Sequence, residues 1–154
     1  TAKIIEMGAE VDDIDGGNIR VWCDKRPKKV NIKTLPYPGF PTDVQPMLCA
    51  VLAGAKGVSR ISETIFENRF SYVPELKRMG ADIVEDGCSI EITGVESLCG
   101  TFVNAKDLRG GAALVTAALC AKGTTVVGGV EYIDRGYEKI ENMLSQIGAD
   151  IMRL

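Results

Sequence analysis

The chain contains no histidine, which removes Ser-His-Asp triads, Cys-His pairs and histidine-based metal sites in one step. Any acid–base chemistry must rest on carboxylates, lysines or cysteines. Disulfide signals are missing as well. The five cysteines (Cys23, Cys49, Cys88, Cys99 and Cys120) are an odd number and include no Cys-x-x-Cys pair. Cys49 and Cys120 fall inside apolar helical patterns, so the set reads as reduced, buried thiols of a cytoplasmic protein rather than as a disulfide framework. No stretch reaches membrane-spanning length and no signal-peptide pattern is present, so neither a membrane nor a secretory route is expected. Excess positive charge is absent too. Eighteen Lys and Arg stand against 21 Asp and Glu, a net charge of −3, whereas a general nucleic-acid binder needs a basic face to displace counterions. The one basic cluster, Lys25-Arg26-Pro27-Lys28-Lys29, reads as a solvated loop between strands.

What is present is the composition of a globular chain, 45% hydrophobic and 25% charged. The 154 residues suffice for one domain with a real core, so 1–154 is taken as a single domain. Thr1 to Met7 already reads as the end of a helix, and the expectation is that the sequence is part of a longer protein.

An internal repeat organises the chain. Met7-Gly8-Ala9-Glu10-Val11 recurs as Met79-Gly80-Ala81-Asp82-Ile83 and again as Ile147-Gly148-Ala149-Asp150-Ile151. Each copy follows apolar residues at helical spacing. Its glycine can end the helix in the left-handed region before a strand begins. Between these marks, short alternating strands are predicted at 29–33 and 101–105, helices at 43–55 and 107–121, and strands at 58–62 and 124–128. Each of those helices is closed by a Lys-Gly pair, Lys56-Gly57 or Lys122-Gly123. Second helices are predicted at 70–79 and 137–147, and strand pairs at 9–14 with 18–23 and at 81–85 with 89–93. The hairpin turns fall at Asp15-Gly16-Gly17-Asn18 and Glu85-Asp86-Gly87. The unit is βαβαββ, with the first copy lacking its beginning and the last its final strand. Such alternation predicts an α/β layered fold. One strand-to-helix connection differs between copies, because Asn31 to Asp43 is nine residues longer than Asn104 to Asp107. The Pro-rich insertion, Lys33 to Pro41, is where function would be grafted.

Asp43 ends that insertion and opens a helix. It reads first as an N-cap and, compatibly with that, as a carboxylate held near a substrate hydroxyl, and Asp107 takes the same place in the next copy. Arg69 and Arg135 stand at matching helix entrances, where a cation is mildly unfavourable. Either they pair with neighbouring Glu67 and Asp134, or they sit with free N–H groups as an anion site. Arg109 follows Asp107 by two residues and repeats the carboxylate–guanidinium pairing. Two tempting motifs fail. Asp13, Asp15 and Gly16 suggest a calcium loop whose first ligand would be Val11 and last Trp22, which excludes it. Gly110-Gly111 lacks the spacing of a phosphate-binding loop and reads as close helix packing.

Four phrases carry the reading further: Gly39-Phe40-Pro41-Thr42-Asp43-Val44-Gln45, Glu63-Thr64-Ile65-Phe66-Glu67-Asn68-Arg69-Phe70, Asp107-Leu108-Arg109-Gly110-Gly111-Ala112 and Ile133-Asp134-Arg135-Gly136-Tyr137-Glu138. In order and spacing they resemble the UDP-N-acetylglucosamine 1-carboxyvinyltransferase family of enolpyruvyl transferases, over essentially the whole chain. The resemblance implies an inside-out α/β barrel of two domains, each with three βαβαββ units, of which this chain is most of the C-terminal domain. It implies transfer of enolpyruvyl from phosphoenolpyruvate to the 3′-hydroxyl of UDP-N-acetylglucosamine, in the cytoplasm, with no metal or organic cofactor. That step opens peptidoglycan synthesis and so serves cell-wall biogenesis, cell shape and division. By matching motif, Asp43 becomes the general base beside the 3′-hydroxyl, and Ile65 a backbone contact to the nucleotide sugar. Arg69 and Arg135 lie at the phosphoenolpyruvate end, and Asp107 and Arg109 line the same cleft. The resemblance puts the family's reactive-cysteine loop and Lys-Asn pair in segments absent here, so the chain is expected to be inactive without its N-terminal domain. Two alternatives stand beside it: the sibling transferase acting on a shikimate phosphate, and a non-catalytic domain that reuses the fold. The assignment requires Asp43, Arg69 and Arg135 to converge on one pocket.

Overall fold

Gln45 to Ala53 contains no charged residue and no one-sided apolar stripe, a pattern that can be stable only where every face is covered. In the computed structural model, which describes residues 1–14 and 17–154, this segment is helix α2 (Gln45–Ala53), with Gln45, Pro46, Cys49, Ala50, Leu52 and Ala53 all buried. Its counterpart in the next unit is α4 (Leu108–Cys120), buried from Gly110 through Val115 and at Ala117. The two helices pack on each other, so equivalent elements of consecutive repeats meet at the centre. Gly110 and Gly111 serve that packing, as read from the sequence. A Cβ on Gly111 would come within 2.6 Å of Ile133, and one on Gly110 within 3.1 Å of Tyr72.

The sheets lie outside these helices. β3 (Ile32–Lys33), β4 (Val58–Ser62), β5 (Asp82–Asp86) and β6 (Ser89–Thr93) form one sheet in the order β3-β4-β6-β5. β3 and β4 are parallel across the α2 crossover, and the remaining pairs are antiparallel. Register sets Ile61 opposite Ile90 and Ile83 opposite Ile92. All four isoleucines point into the core, while Arg60, Glu91 and Val84 face out, the alternation expected of a half-buried sheet. β7 (Phe102–Asn104) and β8 (Val126–Gly128) repeat the parallel crossover around α4. β1 (Glu10–Ile14) and β2 (Asn18–Trp22) form a separate antiparallel hairpin, whose turn at Asp15 and Gly16 lies outside the described residues. Helices inside and sheets outside make this a mixed α/β fold of repeated βαβαββ units.

The three recurring glycines do what the repeat predicts. α1 (Ala2–Glu6), α3 (Val73–Arg78) and α6 (Ile140–Gln146) are each followed by a cap residue and then Gly8, Gly80 or Gly148 at φ of +94°, +91° or +96°. Each terminus carries the same two bonds. Gly8, Gly80 and Gly148 donate to Ile5, Lys77 and Ser145, and Ala9, Ala81 and Ala149 donate to Ile4, Leu76 and Leu144. This is the Schellman closure, which needs a left-handed residue.

Several expectations are corrected. The second helices start later than predicted. α3 begins at Val73, as Pro74 marks in the sequence by confining regular turns to the residues after Ser71, and the 137–147 helix is only α6, preceded by a short α5 (Val130–Ile133). The strand expected at 29–33 is regular only at Ile32 and Lys33. Lys56 and Lys122 do not close helices, since both already bridge to Lys28 and Cys99 as the next strand approaches. The basic cluster is not merely solvated. Arg26 donates to the carbonyls of Gly54 and Ala55 at the end of α2, and to those of Gly94 and Val95 after β6, a cation closing a helix C-terminus. Finally, Cys120 is exposed, as are Cys23, Cys88 and Cys99; Cys49 is the buried one. Burial pushes the Cys49 thiol up to about 12, and only the thiolate is nucleophilic. Under native conditions a maleimide is expected to label the other four positions, with Cys49 reacting only after denaturant is added. Peptide mapping checks this, and rapid native labelling of Cys49 would contradict the packing described.

Candidate active site

The insertion before α2 closes on itself. The Leu35 amide donates to Phe40 O at 3.1 Å and the Gly39 amide to Pro36 O at 2.8 Å, leaving Tyr37 98% exposed at the tip. Its return limb, bridged at Phe40 to Thr34, delivers Thr42 and Asp43 to the start of α2. There the N-cap expectation for Asp43 fails. The cap position is Val44, and no side chain caps this helix. The Asp43 carboxylate instead accepts from two guanidiniums, Arg69 Nη2 at 3.2 Å on Oδ1 and Arg109 Nη2 at 2.7 Å on Oδ2. In the next repeat Asp107 does cap. Its Oδ1 accepts from the amides of Arg109 and Gly110 at 3.0 and 2.8 Å, and its Oδ2 from Ser71 Oγ at 2.8 Å. One repeat position therefore does two jobs. The longer connection lifts Asp43 away from the helix N–H groups, whereas the short one holds Asp107 onto them. Asp107→Ala is expected to lower stability by about 1 kcal/mol through the lost cap, a fall of about 2–4 °C in thermal midpoint that Asp107→Asn should avoid.

Arg69 is 9% exposed. The preceding Asn68 sits at φ +55°, a left-handed turn that asparagine tolerates better than most residues. From there Arg69 stacks on Phe66, 4.0 Å from its ring centre, and donates Nε–H to Thr42 Oγ1 at 3.1 Å. Its partner is Asp43 rather than Glu67. Arg109 reaches Asp43 from the first turn of α4 and also approaches Tyr137 OH at 3.5 Å; its own partner is not Asp107. The Arg109 hydrogen bond is the main reason that the Asp43 carboxyl lies below the ordinary aspartate range; partial burial opposes it, and the charges of both arginines reinforce it.

Two adjoining clefts share the 66–69 turn. The larger, about 980 Å³, runs from Glu63 to Ser71 and reaches Glu85, Gly87 and Cys88. The smaller, about 470 Å³, is bordered by Phe66, Arg69, Lys106, Asp107 and Arg109. Ile65 lines the larger one, 46% exposed, with its amide already donated to Glu63.

Arg135 is not brought to this group. Its guanidinium lies 5.3 Å above the Tyr132 ring and borders neither cleft. Asp134, the neighbour expected to pair with it, is bound instead by Arg153 at 2.7 Å. The convergence of Asp43, Arg69 and Arg135 is thus replaced by convergence of Asp43, Arg69 and Arg109. Sequence reasoning gave no role to Thr34, Thr42, Glu63, Ser71, Lys106 or Tyr137. The one available signal was a charged Glu63 following the alternating strand β4, where the next inward position calls for an apolar side chain.

The chain is similar to known proteins in sequence and in fold. Residues 1–144 match the family model described as EPSP synthase (3-phosphoshikimate 1-carboxyvinyltransferase). UDP-N-acetylglucosamine 1-carboxyvinyltransferase 2 of Caldanaerobacter subterraneus is 55% identical over 99% of this chain and 37% of its own length. UDP-N-acetylglucosamine 1-carboxyvinyltransferase 3 of Symbiobacterium thermophilum is 51% identical over 97% and 35%. Among solved structures, the enolpyruvyl transferase NikO of Streptomyces tendae superposes with a TM-score of 0.86 at 30% identity, covering 98% of this chain and 35% of that one. EPSP synthase of Acinetobacter baumannii shares the fold, with a TM-score of 0.73 at 19% identity over 97% and 35%. The chain spans about a third of the length of the relatives it matches. It belongs to the EPSP synthase family of enolpyruvyl transferases, on the side of its UDP-N-acetylglucosamine 1-carboxyvinyltransferase members.

Proposed function

We propose that the protein of which this chain forms part transfers the enolpyruvyl group of phosphoenolpyruvate to the 3′-hydroxyl of UDP-N-acetylglucosamine. On this reading residues 1–154 supply most of the C-terminal domain, and an N-terminal domain completes the cleft. The work is done in the cytoplasm for cell-wall synthesis, and through it for cell shape and division. The observation that carries the reading is the Asp43 carboxylate clamped by Arg69 and Arg109, the two arginines that themselves border the clefts, in a sequence whose relatives at 51–55% identity bear that enzyme's name.

In the first step the sugar oxygen bonds to C2 of phosphoenolpyruvate while C3 takes a proton from an acid that the N-terminal domain would supply, giving a tetrahedral phosphate ketal. In the second, C3 returns a proton to that group, the C2–O bond to phosphate breaks with its electron pair leaving on phosphate, and the double bond re-forms. Asp43 takes the hydroxyl proton in the first step. While both guanidiniums hold it, the carboxylate is a weak base. The phosphate and carboxylate of phosphoenolpyruvate compete for those same guanidiniums, so arrival of the donor releases Asp43 as it neutralises the arginines. Arg69 and Arg109 then offset charge on the transferring group. Asp107 holds the start of α4 and with it Arg109. Ile65 borders the nucleotide-sugar side. Arg135 lies away from this group, so the proposed step gives it no part and rests on Asp43, Arg69 and Arg109.

The family description also names a shikimate phosphate enzyme, and one assay separates the two. The full-length protein should release phosphate from phosphoenolpyruvate when UDP-N-acetylglucosamine is added and not when shikimate 3-phosphate is added. The reverse preference, or no release with either, overturns the proposal. Residues 1–154 alone should show no turnover.

A further inference from the structure

Beneath the arginine clamp lies a carboxylate with no cation directly against it among the described residues. Glu63 is 5% exposed and follows β4 directly, anchored by its amide to Cys88 O at 2.8 Å. Burying a charge is costly unless donors surround it, and here four do. Oε1 accepts from Thr34 Oγ1 at 2.8 Å, Ile65 N at 2.9 Å and Phe66 N at 3.0 Å; Oε2 accepts from Thr42 Oγ1 at 3.0 Å. Burial alone pulls the Glu63 carboxyl upward and is the largest single influence. The bonds from Ile65, Thr34, Phe66 and Thr42 together outweigh it, so the group lies below the ordinary glutamate range and is ionised at neutral pH.

The direction of these bonds matters. A hydroxyl has one proton, and that of Thr42 is spent on Glu63. Its lone pairs are therefore turned to accept Nε–H of Arg69 at 3.1 Å, and the same guanidinium holds Asp43. A glutamine could keep its carbonyl among the three donors at Oε1. Its NH₂ would then face Thr42, the hydroxyl proton would lose its acceptor, and Arg69 would lose an oriented partner.

We infer that Glu63 is the positioning residue of this site: through the Thr42 hydroxyl it fixes Arg69 and with it Asp43, and through the Ile65 and Phe66 amides it fixes the turn between the two clefts. The inference rests on the proposed role of Asp43 in enolpyruvyl transfer. It extends that role to a buried side chain at the edge of the larger cleft that acts through Thr42 and the turn amides rather than on the reacting atoms.

The test uses the full-length protein carrying Glu63→Gln, Thr42→Val, Thr42→Ser and the Glu63→Gln/Thr42→Val double change. Two readouts are taken. One is steady-state phosphate release. The other is the titration midpoint of the Asp43 carboxyl by ¹³C NMR, assigned by its loss in Asp43→Asn. Glu63→Gln and Thr42→Val should each lower kcat about tenfold to a hundredfold, as misplacement of a reacting group does, and each should move the Asp43 midpoint upward. The double change should be no worse than the worse single change, because both cut one chain of contacts. Thr42→Ser should restore both readouts. A purely structural Glu63 would lower the melting temperature without moving the Asp43 midpoint. Unchanged midpoints, full kcat in folded Thr42→Val, or additive losses would each overturn the inference. If Glu63→Gln does not fold, Thr42→Val against Thr42→Ser decides alone. If the wild-type protein releases no phosphate, the functional reading fails, and the midpoint shift still judges Glu63.

Discussion

Asp43→Asn in the full-length protein is expected to lower kcat by about 10²–10⁴-fold, the usual contribution of a positioned acid–base group. The amide keeps the shape and one acceptor for Arg69 and Arg109, so the fold should persist. The matched control is Asp107→Asn. It occupies the same place in the repeat, yet its carboxylate caps α4, a task that asparagine performs about as well as aspartate. A large kcat loss at 43 with little loss at 107 would separate the chemistry of the two positions from their shared ancestry in the repeat. Retention of a tenth or more of kcat in Asp43→Asn would remove Asp43 from the proton path. A pH experiment on stability runs beside it. Because the folded-state midpoint of Asp43 is depressed, its ion pairs contribute fully above the unfolded value of about 3.9. That contribution fades as pH falls through the lower folded-state midpoint. Melting temperatures of wild type and Asp43→Asn should therefore differ at pH 7 and converge in acid below about pH 4. With Asp43 half exposed, the difference is expected to be small.

The architecture was legible because it is written locally and more than once. The Met/Ile-Gly-Ala phrase encodes a helix end through a left-handed glycine, and all three copies close with the same pair of bonds. Helix edges were less legible where tertiary contacts decide them. Arg26 ends α2 from a loop 28 residues away in sequence from its first acceptor. The site was half legible. The resemblance placed Asp43, Arg69 and Arg109 in one cleft, but the only pairing readable from the residues alone was nearest neighbour in sequence. In the fold, Arg69 finds Asp43 across 26 residues and Arg109 finds it across 66. Such distances are set by how two repeats pack, and a local pattern carries no trace of them. The same limit misled the comparison of Arg69 with Arg135. Their positions match in the repeat, but the Pro-rich insertion that brings Asp43 to Arg69 has no counterpart after Asn104, so nothing equivalent meets Arg135.

Gly94→Ala is expected to be the most destabilising small change in this chain, at about 3 kcal/mol, the upper part of the overpacking range. Gly94 follows β6 and passes against the link between α2 and β4. A Cβ built there lands on the carbonyl of Ala55, with the carbonyl carbon only 2.6 Å away. The obstacle is backbone, so no rotamer change relieves it. Ala55 is fully buried. The surrounding bonds are shared: Gly94 N donates to Gly57 O at 3.0 Å and Val95 N to Ala53 O at 2.8 Å, while one guanidinium nitrogen of Arg26 reaches the carbonyls of Ala55, Gly94 and Val95. A methyl group that wedges the two segments apart must strain or break this set together, and the end of α2 moves with it. At about 2–4 °C per kcal/mol for a chain of this size, the thermal midpoint should fall by about 6–12 °C. Gly54→Ala, one residue before Ala55, is the control. Its Cβ would sit 3.6 Å from Val51 O, in ordinary contact, and its φ of −96° suits alanine, so it should be neutral or slightly stabilising through the unfolded chain. Equal melting of Gly94→Ala and Gly54→Ala would mean that β6 and the α2–β4 link do not approach as closely as described.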